Sequence, residues 1–211
     1  GWITVMLYLP FILLLGVTGQ LADRFSKRTI ITWTRIVEIV LAVGVTAGFF
    51  WQDLWVVCGF FILLAAQSAF FSPAKYGSVP ELVPDDQLMR ANGLLSLMTN
   101  SAIILGVAVA GYMLSIGPVV LGLTMIGVAV ISTVCSLFIP KSLPADPDLT
   151  VSIRTFTAHV LVLKRMRGTP LMSTTLAWCW FYGVASLVIT IVPLWRGPLG
   201  LSDSAAGLLL A

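Results

Sequence analysis

Charge is what this sequence has little of. Its 211 residues carry 12 Lys and Arg and nine Asp and Glu, 10% in all, against roughly 25% in soluble domains. With 58% hydrophobic residues and a mean hydropathy of +1.01, it has too few polar groups to cover a globular surface, and a bilayer is the solvent that suits it. Nucleic acid is excluded as a natural partner, because the net charge is only +3 and no basic stripe runs through the chain. Cysteine is scarce too. Cys58, Cys135 and Cys179 lie inside apolar runs without metal-ligand spacing, so they read as small buried residues and no disulfide framework follows. No nucleophile elbow and no glycine-rich phosphate loop after a strand is present. The chain therefore reads as neither an enzyme nor a metal or cofactor protein. His159 is the single histidine and reads as an interfacial structural residue.

What is present is a series of long apolar runs. Crossing about 30 Å of hydrocarbon takes about 20 apolar residues in a helix. Six stretches qualify: 2–22, 29–51, 54–71, 93–115, 118–139 and 171–195, with a seventh beginning near Ser204. Helices are expected rather than a barrel, because backbone amides in lipid must bond within their own segment and a barrel would show alternating strands. Gly44 with Gly48, and Gly106 with Ala110, place small residues four apart, a spacing that permits close helix approach. The chain begins with Gly1 and ends within an apolar run, which reads as an internal piece of a longer polytopic protein.

The connections alternate in charge. Those after the first, third and fifth spans hold ten basic residues, including Arg24, Lys27, Arg28, Lys75, Arg90, Lys141 and Lys164. Those after the even spans hold only Arg196, and Arg35 lies within a span. By the positive-inside rule the basic connections are cytoplasmic. The stretch FFSPAKYGSVPELVPDDQLMRANG, residues 70–93, is then a cytoplasmic hinge in which Pro73, Pro80 and Pro84 are expected to interrupt the helix. Asp85 and Asp86 suit the positive end of the helix that follows. Within 140–170 a Pro/Asp-rich linker leads into a segment where Ile153, Phe156, Val160 and Leu163 recur at helical spacing, as in an amphipathic helix on an anionic leaflet.

Inside the spans, polar side chains mark a cavity or a helix interface. Arg35 and Glu38 are three apart and share a helix face, with Glu38 about 15 Å in from Arg28. An ionisable group at that depth is a candidate gating or headgroup residue. Gln67 is a cavity candidate of the same kind, and Asn92, Ser96 and Asn100 form a stripe at i, i+4 and i+8. Trp178, Trp180, Phe181 and Tyr182 sit mid-span, away from the interfacial belts where Trp and Tyr are usual, with Gly183 beside them. Of these, Trp178 and Tyr182 are substrate candidates.

The first basic turn, GQLADRFSKR, resembles the signature of the major facilitator superfamily, Gly-x-x-x-Asp-Arg/Lys-x-Gly-x-Arg/Lys-Arg/Lys. Gly19, Asp23, Arg24, Lys27 and Arg28 carry the likeness; Ser26 stands where glycine is usual, and the final spacing is one residue tighter. The resemblance implies an all-α bundle of twelve helices. The visible spans then correspond to the second to seventh, with 1–139 in the N-terminal half, 140–170 as the linker between halves and 171–211 opening the C-terminal half. Gly106 to Gly111 is similar to the glycine-rich motif of the fifth helix, with Val107 in place of the usual proline. SPAKYG (Ser72, Pro73, Lys75, Tyr76, Gly77), Glu81 and RANGL from Arg90 resemble the lysophospholipid transporter branch, whose members also occur fused to acyltransferase and acyl-ACP ligase domains. What the branch implies is a membrane lipid, a lysophospholipid, as substrate, flipped across the bacterial inner membrane toward the cytoplasmic leaflet for reacylation. Transport of another small solute with Glu38 as a proton-linked group, or a scaffold for a fused acyltransferase, are the alternatives. Label-accessibility mapping should find residues 24–28 and 164–167 on one side of the membrane; opposite sides would break this topology.

Overall fold

In hydrocarbon a chain satisfies its amides by coiling, and this one does so wherever it is apolar. The structure, a computed structural model, describes the backbone of residues 2–151 and 162–194, and the side chains of 8–151 and 162–187. Its helices are α1 (Trp2–Arg24), α2 (Lys27–Trp51), α3 (Leu54–Leu82), α4 (Leu88–Ile116), α5 (Pro118–Leu137) and α6 (Pro170–Leu194), with a 3₁₀ turn over Asp85–Gln87 leading into α4. The architecture is all-α, and no strand occurs among the described residues. Four helices, α2, α3, α4 with its 3₁₀ entry, and α5, are long and apolar enough to cross a membrane among the described residues. The six helices match the six expected spans. The amphipathic helix expected through Ile153, Phe156 and Val160, with His159, lies outside the described residues.

Local chemistry sets the ends. Gln52 closes α2 in the left-handed region (φ 56°), its amide reaching back to Phe49 O while that of Asp53 reaches Gly48 O at 3.0 Å. Asp53 then caps α3, Oδ1 accepting from the amides of Trp55 (2.9 Å) and Val56 (3.2 Å). Pro118 starts α5 at a position where a missing amide costs nothing. The interruption expected at Pro73 and Pro80 does not occur, since α3 runs through both and stops only at Val83. Each proline removes one amide but no terminating geometry follows it, and neighbouring Ala69 and Ala74 are fully buried against other helices. Val83, extended at φ −131° and ψ 148°, precedes Pro84, where helix is sterically disfavoured. SPAKYG is therefore helical, the end of a 29-residue rod about 43 Å long.

The chain divides into two compact units, residues 1–156 and 157–211. In the first, α2 is central, packed between α3 and α5; α1 packs on α3, α4 on α5, and α4 also touches α3. The most deeply buried side chains are small: Ala22, Ala42, Val45, Ala69, Ala74 and Thr18. Gly48 and Gly44 both face α3. A Cβ on Gly48 would stand 2.8 Å from Val57 Cγ2, and one on Gly44 would overlap the Phe60 ring. On the other flank, a Cβ on Gly122 of α5 would meet Thr46 Oγ1 at 2.5 Å. The expected close approach therefore holds for Gly44 and Gly48. At Gly106 no other described helix lies within 4 Å of where a Cβ would stand. In the second unit, residues 162–166 are helical, Gly168 turns the chain at φ 82°, and α6 follows.

Gly48→Val should lower stability by about 1–3 kcal/mol through overpacking against α3. Gly19→Ala should be neutral or stabilising by about 0.5–1 kcal/mol, the ordinary helical preference. Thermal unfolding in detergent reads both.

Candidate functional site

All five helices of the first unit line an open cavity of about 640 Å3. Tyr8 and Phe11 of α1, Phe61, Leu64 and Ala65 of α3, Gly106, Val109 and Ala110 of α4, and Leu121, Met125 and Val128 of α5 make its walls apolar. Gly106 and Ala110 serve here as wall rather than as a helix contact. Ser68 and Thr124 also reach the lining, but both hydroxyls donate to carbonyls of their own helices, Leu64 O and Val120 O. Glu38 of α2 is the one charged residue among the described residues of the lining.

Glu38 is ion-paired with Arg35, one turn nearer the basic end of the bundle, and both side chains are only partly exposed. The Arg35 guanidinium lies over the Phe71 ring, 3.7 Å from its centroid. Lys75, one turn further along α3, approaches the same ring at 5.9 Å and the Tyr76 ring at 4.4 Å, while its Nζ reaches Thr99 Oγ1 of α4 at 3.4 Å. Two cations thus converge on Phe71 just below the cavity, and Lys75 joins α3 to α4. Phe71 and Thr99 escaped sequence reasoning, although Phe71 and Lys75 are i, i+4 on one face, which is the signal that could have found them.

Closer to the basic end, the signature turn is a second polar layer. Lys27 is buried and forms an ion pair with Glu81 of α3. Its stem runs past Gly77, where a Cβ would sit 2.8 Å from Lys27 Cε, so the glycine of SPAKYG leaves room for the lysine of the signature. Arg28 Nη2 donates to Leu137 O at 2.8 Å, placing a cation on the negative end of α5. Asp23 acts through its backbone, its carbonyl accepting from the amide of Asp146 at 2.9 Å and tying the linker to the end of α1. Arg24 is exposed and lies over the Phe25 ring at 5.6 Å.

Other candidates fall elsewhere. Gln67 is buried, but its Nε2 donates to Thr34 O at 2.7 Å across the α2–α3 seam, outside the cavity lining. Asn92, Ser96 and Asn100 are exposed along α4, as is Arg90, which forms no ion pair among the described residues. Ser72 and Pro73 are half-buried within α3. In the second unit, Trp178 and Tyr182 stack at 5.6 Å and Phe181 meets both edge-on. Among the described residues no His, Cys, Asp and Glu cluster could hold a metal.

A bundle of apolar rods around an open apolar cavity, with paired charges toward its basic end, is a transporter-type architecture. The chain belongs to the Major Facilitator Superfamily, whose profile matches residues 1–211. It is 33% identical over 209 residues to the lysophospholipid transporter LplT of Salmonella heidelberg (strain SL476) and to that of Salmonella arizonae (strain ATCC BAA-731 / CDC346-86 / RSK2980). The LplT of Salmonella newport (strain SL254) is 33% identical over 207 residues. These alignments cover 95% of this chain and 48% of each relative, so the chain spans about half the length of the curated relatives it matches. No solved structure matches it.

Removing Lys27 or Glu81 alone should cost about 1–3 kcal/mol, below the range for fully buried pairs because Glu81 retains some solvent contact. A double-mutant cycle of Lys27→Met and Glu81→Leu, read by unfolding in detergent, should return a favourable coupling; additive losses would show that the pair is not formed.

Proposed function

We propose that this protein is part of a transporter that flips lysophospholipids across the bacterial inner membrane toward the cytoplasmic leaflet by alternating access. The observation that carries the proposal is the apolar cavity of about 640 Å3 whose single acid is paired with a cation. That volume is in the range of sites for ligands of drug-like size. Its walls suit an acyl chain, and the Arg35 guanidinium, held beside the cavity by Glu38, suits the phosphate at the chain's polar end. The named activity of the LplT relatives points the same way.

On this reading Arg35 exchanges partners. With the cavity empty it pairs with Glu38; with substrate it turns to the phosphate, and Glu38 is released. A swap of this kind keeps the Arg35 cation paired in both states and leaves the released Glu38, which is partly exposed, to solvent. Phe71 and Lys75 form the floor through which the headgroup leaves, and the Lys27–Glu81 pair with Arg28 forms the layer that opens last. The basic loops face the cytoplasm, residues 1–139 serve as the N-terminal half-bundle, and 171–211 begin the second half. The cargo's fate is reacylation, which makes a fused or associated acyltransferase or acyl-ACP ligase the natural partner.

The test is flipping of fluorescent lysophosphatidylethanolamine by the full-length protein in vesicles, with inward-moved lipid read by protection from dithionite. Arg35→Gln and Glu38→Gln should each slow flipping roughly tenfold or more, the worth of a charge-assisted hydrogen bond. Arg35→Lys should recover part of the rate. A wild-type protein that moves a soluble solute but not the lysolipid would overturn the reading.

A further inference from the structure

A second cavity, of about 490 Å3, lies at the basic end of the first unit, between the start of α2, the end of α5 and the first residues of the linker. It shares no lining residue with the larger one. Its polar lining is Ser26 at the turn, Arg28, Thr29 and Thr32 of α2, and Lys141 and Ser142 of the linker, and no carboxylate is among the described lining residues. Arg28 is fixed by its bond to Leu137 O through one nitrogen, which leaves its other donors for a ligand. Lys141 stands across the opening, on a linker held to the bundle by the Asp146–Asp23 backbone bond. Two cations and four hydroxyls around one cavity without an acid form a site for a phosphate.

The apolar part of the rim says where that phosphate comes from. Trp33 also lines this cavity and is largely exposed. It lies about 9 Å along α2 from Lys27, at the depth where tryptophan marks the headgroup boundary. Val37 and Val40 continue the same exposed face of α2 toward the membrane interior. A soluble anion has no use for this track, whereas a lipid lays its acyl chain along it.

We propose that this cavity binds the headgroup of an anionic phospholipid of the surrounding bilayer, gripped by Arg28 and Lys141 and flanked by Trp33. The bound lipid bridges α2 to the linker, so occupancy fastens residues 141–143 against the bundle. This site shares Arg28 with the layer that opens last but no lining residue with the larger cavity, and its test does not read transport.

The experiment places the full-length protein in nanodiscs of phosphatidylcholine containing a small fraction of brominated phosphatidylglycerol. Trp33 is isolated as the difference between wild type and Trp33→Phe. Brominated phosphatidylglycerol should quench Trp33 more strongly than brominated phosphatidylcholine at the same fraction. Lys141→Glu should weaken the preference about fivefold or more, the value of one surface cation at an anionic leaflet. Lys141→Gln should do the same to a smaller extent, and it stands in if the charge reversal does not fold. Equal quenching by the two lipids, or unchanged preference in the folded Lys141 variants, would overturn the proposal. Loss of the preference on adding inorganic phosphate would also overturn it, by assigning the cavity to a free anion.

Discussion

Two helices immersed in hydrocarbon have no water to escape, so what holds them together is how closely they can approach. α2 depends on that constraint more than any other element of the first unit, because it is flanked by α3 and α5 at once. It meets α3 through Gly44 and Gly48, and α5 through Thr46 set into Gly122. The polar atoms carried into these seams are satisfied locally. Thr34 and Thr46 donate back to their own helix, and Gln67 donates across to Thr34 O, leaving no buried side-chain polar atom unpartnered among the described residues. A rigid α2 is what lets Arg35 and Glu38 be held at a definite place beside the cavity.

Charge then closes one end of the bundle in layers. Arg35 and Lys75 share the face of Phe71, and Lys27 reaches Glu81 past Gly77. These contacts explain why two separated stretches, GQLADRFSKR and SPAKYG with its downstream glutamate, carry unusual residues: they are two halves of one interlock. An ion pair in such a place contributes little net stability, since desolvation offsets much of the attraction. Its use is to set helix register, and a pair that can be exchanged for a ligand phosphate or for water suits a structure that must open.

SPAKYG shows where local reading fails. Three prolines in twelve residues look like a broken chain, and Pro84 does end the helix through its effect on Val83. Pro73 and Pro80 do not, because a proline removes only one hydrogen bond and the packing of Ala69 and Ala74 outweighs that loss. Glycine is equally ambiguous. Gly44, Gly77 and Gly122 are pressed against neighbours, while Gly19, Gly106 and Gly111 have no such neighbour among the described residues, and nothing in their immediate sequence distinguishes the two sets.

Hydropathy sums along the chain, so the sequence by itself determined the all-α class, the position of six helices, the alternation of basic turns and the shared face of Arg35 and Glu38. Each of those depends on residues a few positions apart. The partner of Lys27 lies 54 residues away, and the cavity draws on five helices. Which side chains meet at such distances depends on how each rod is rotated about its own axis, and only the packed structure decides that.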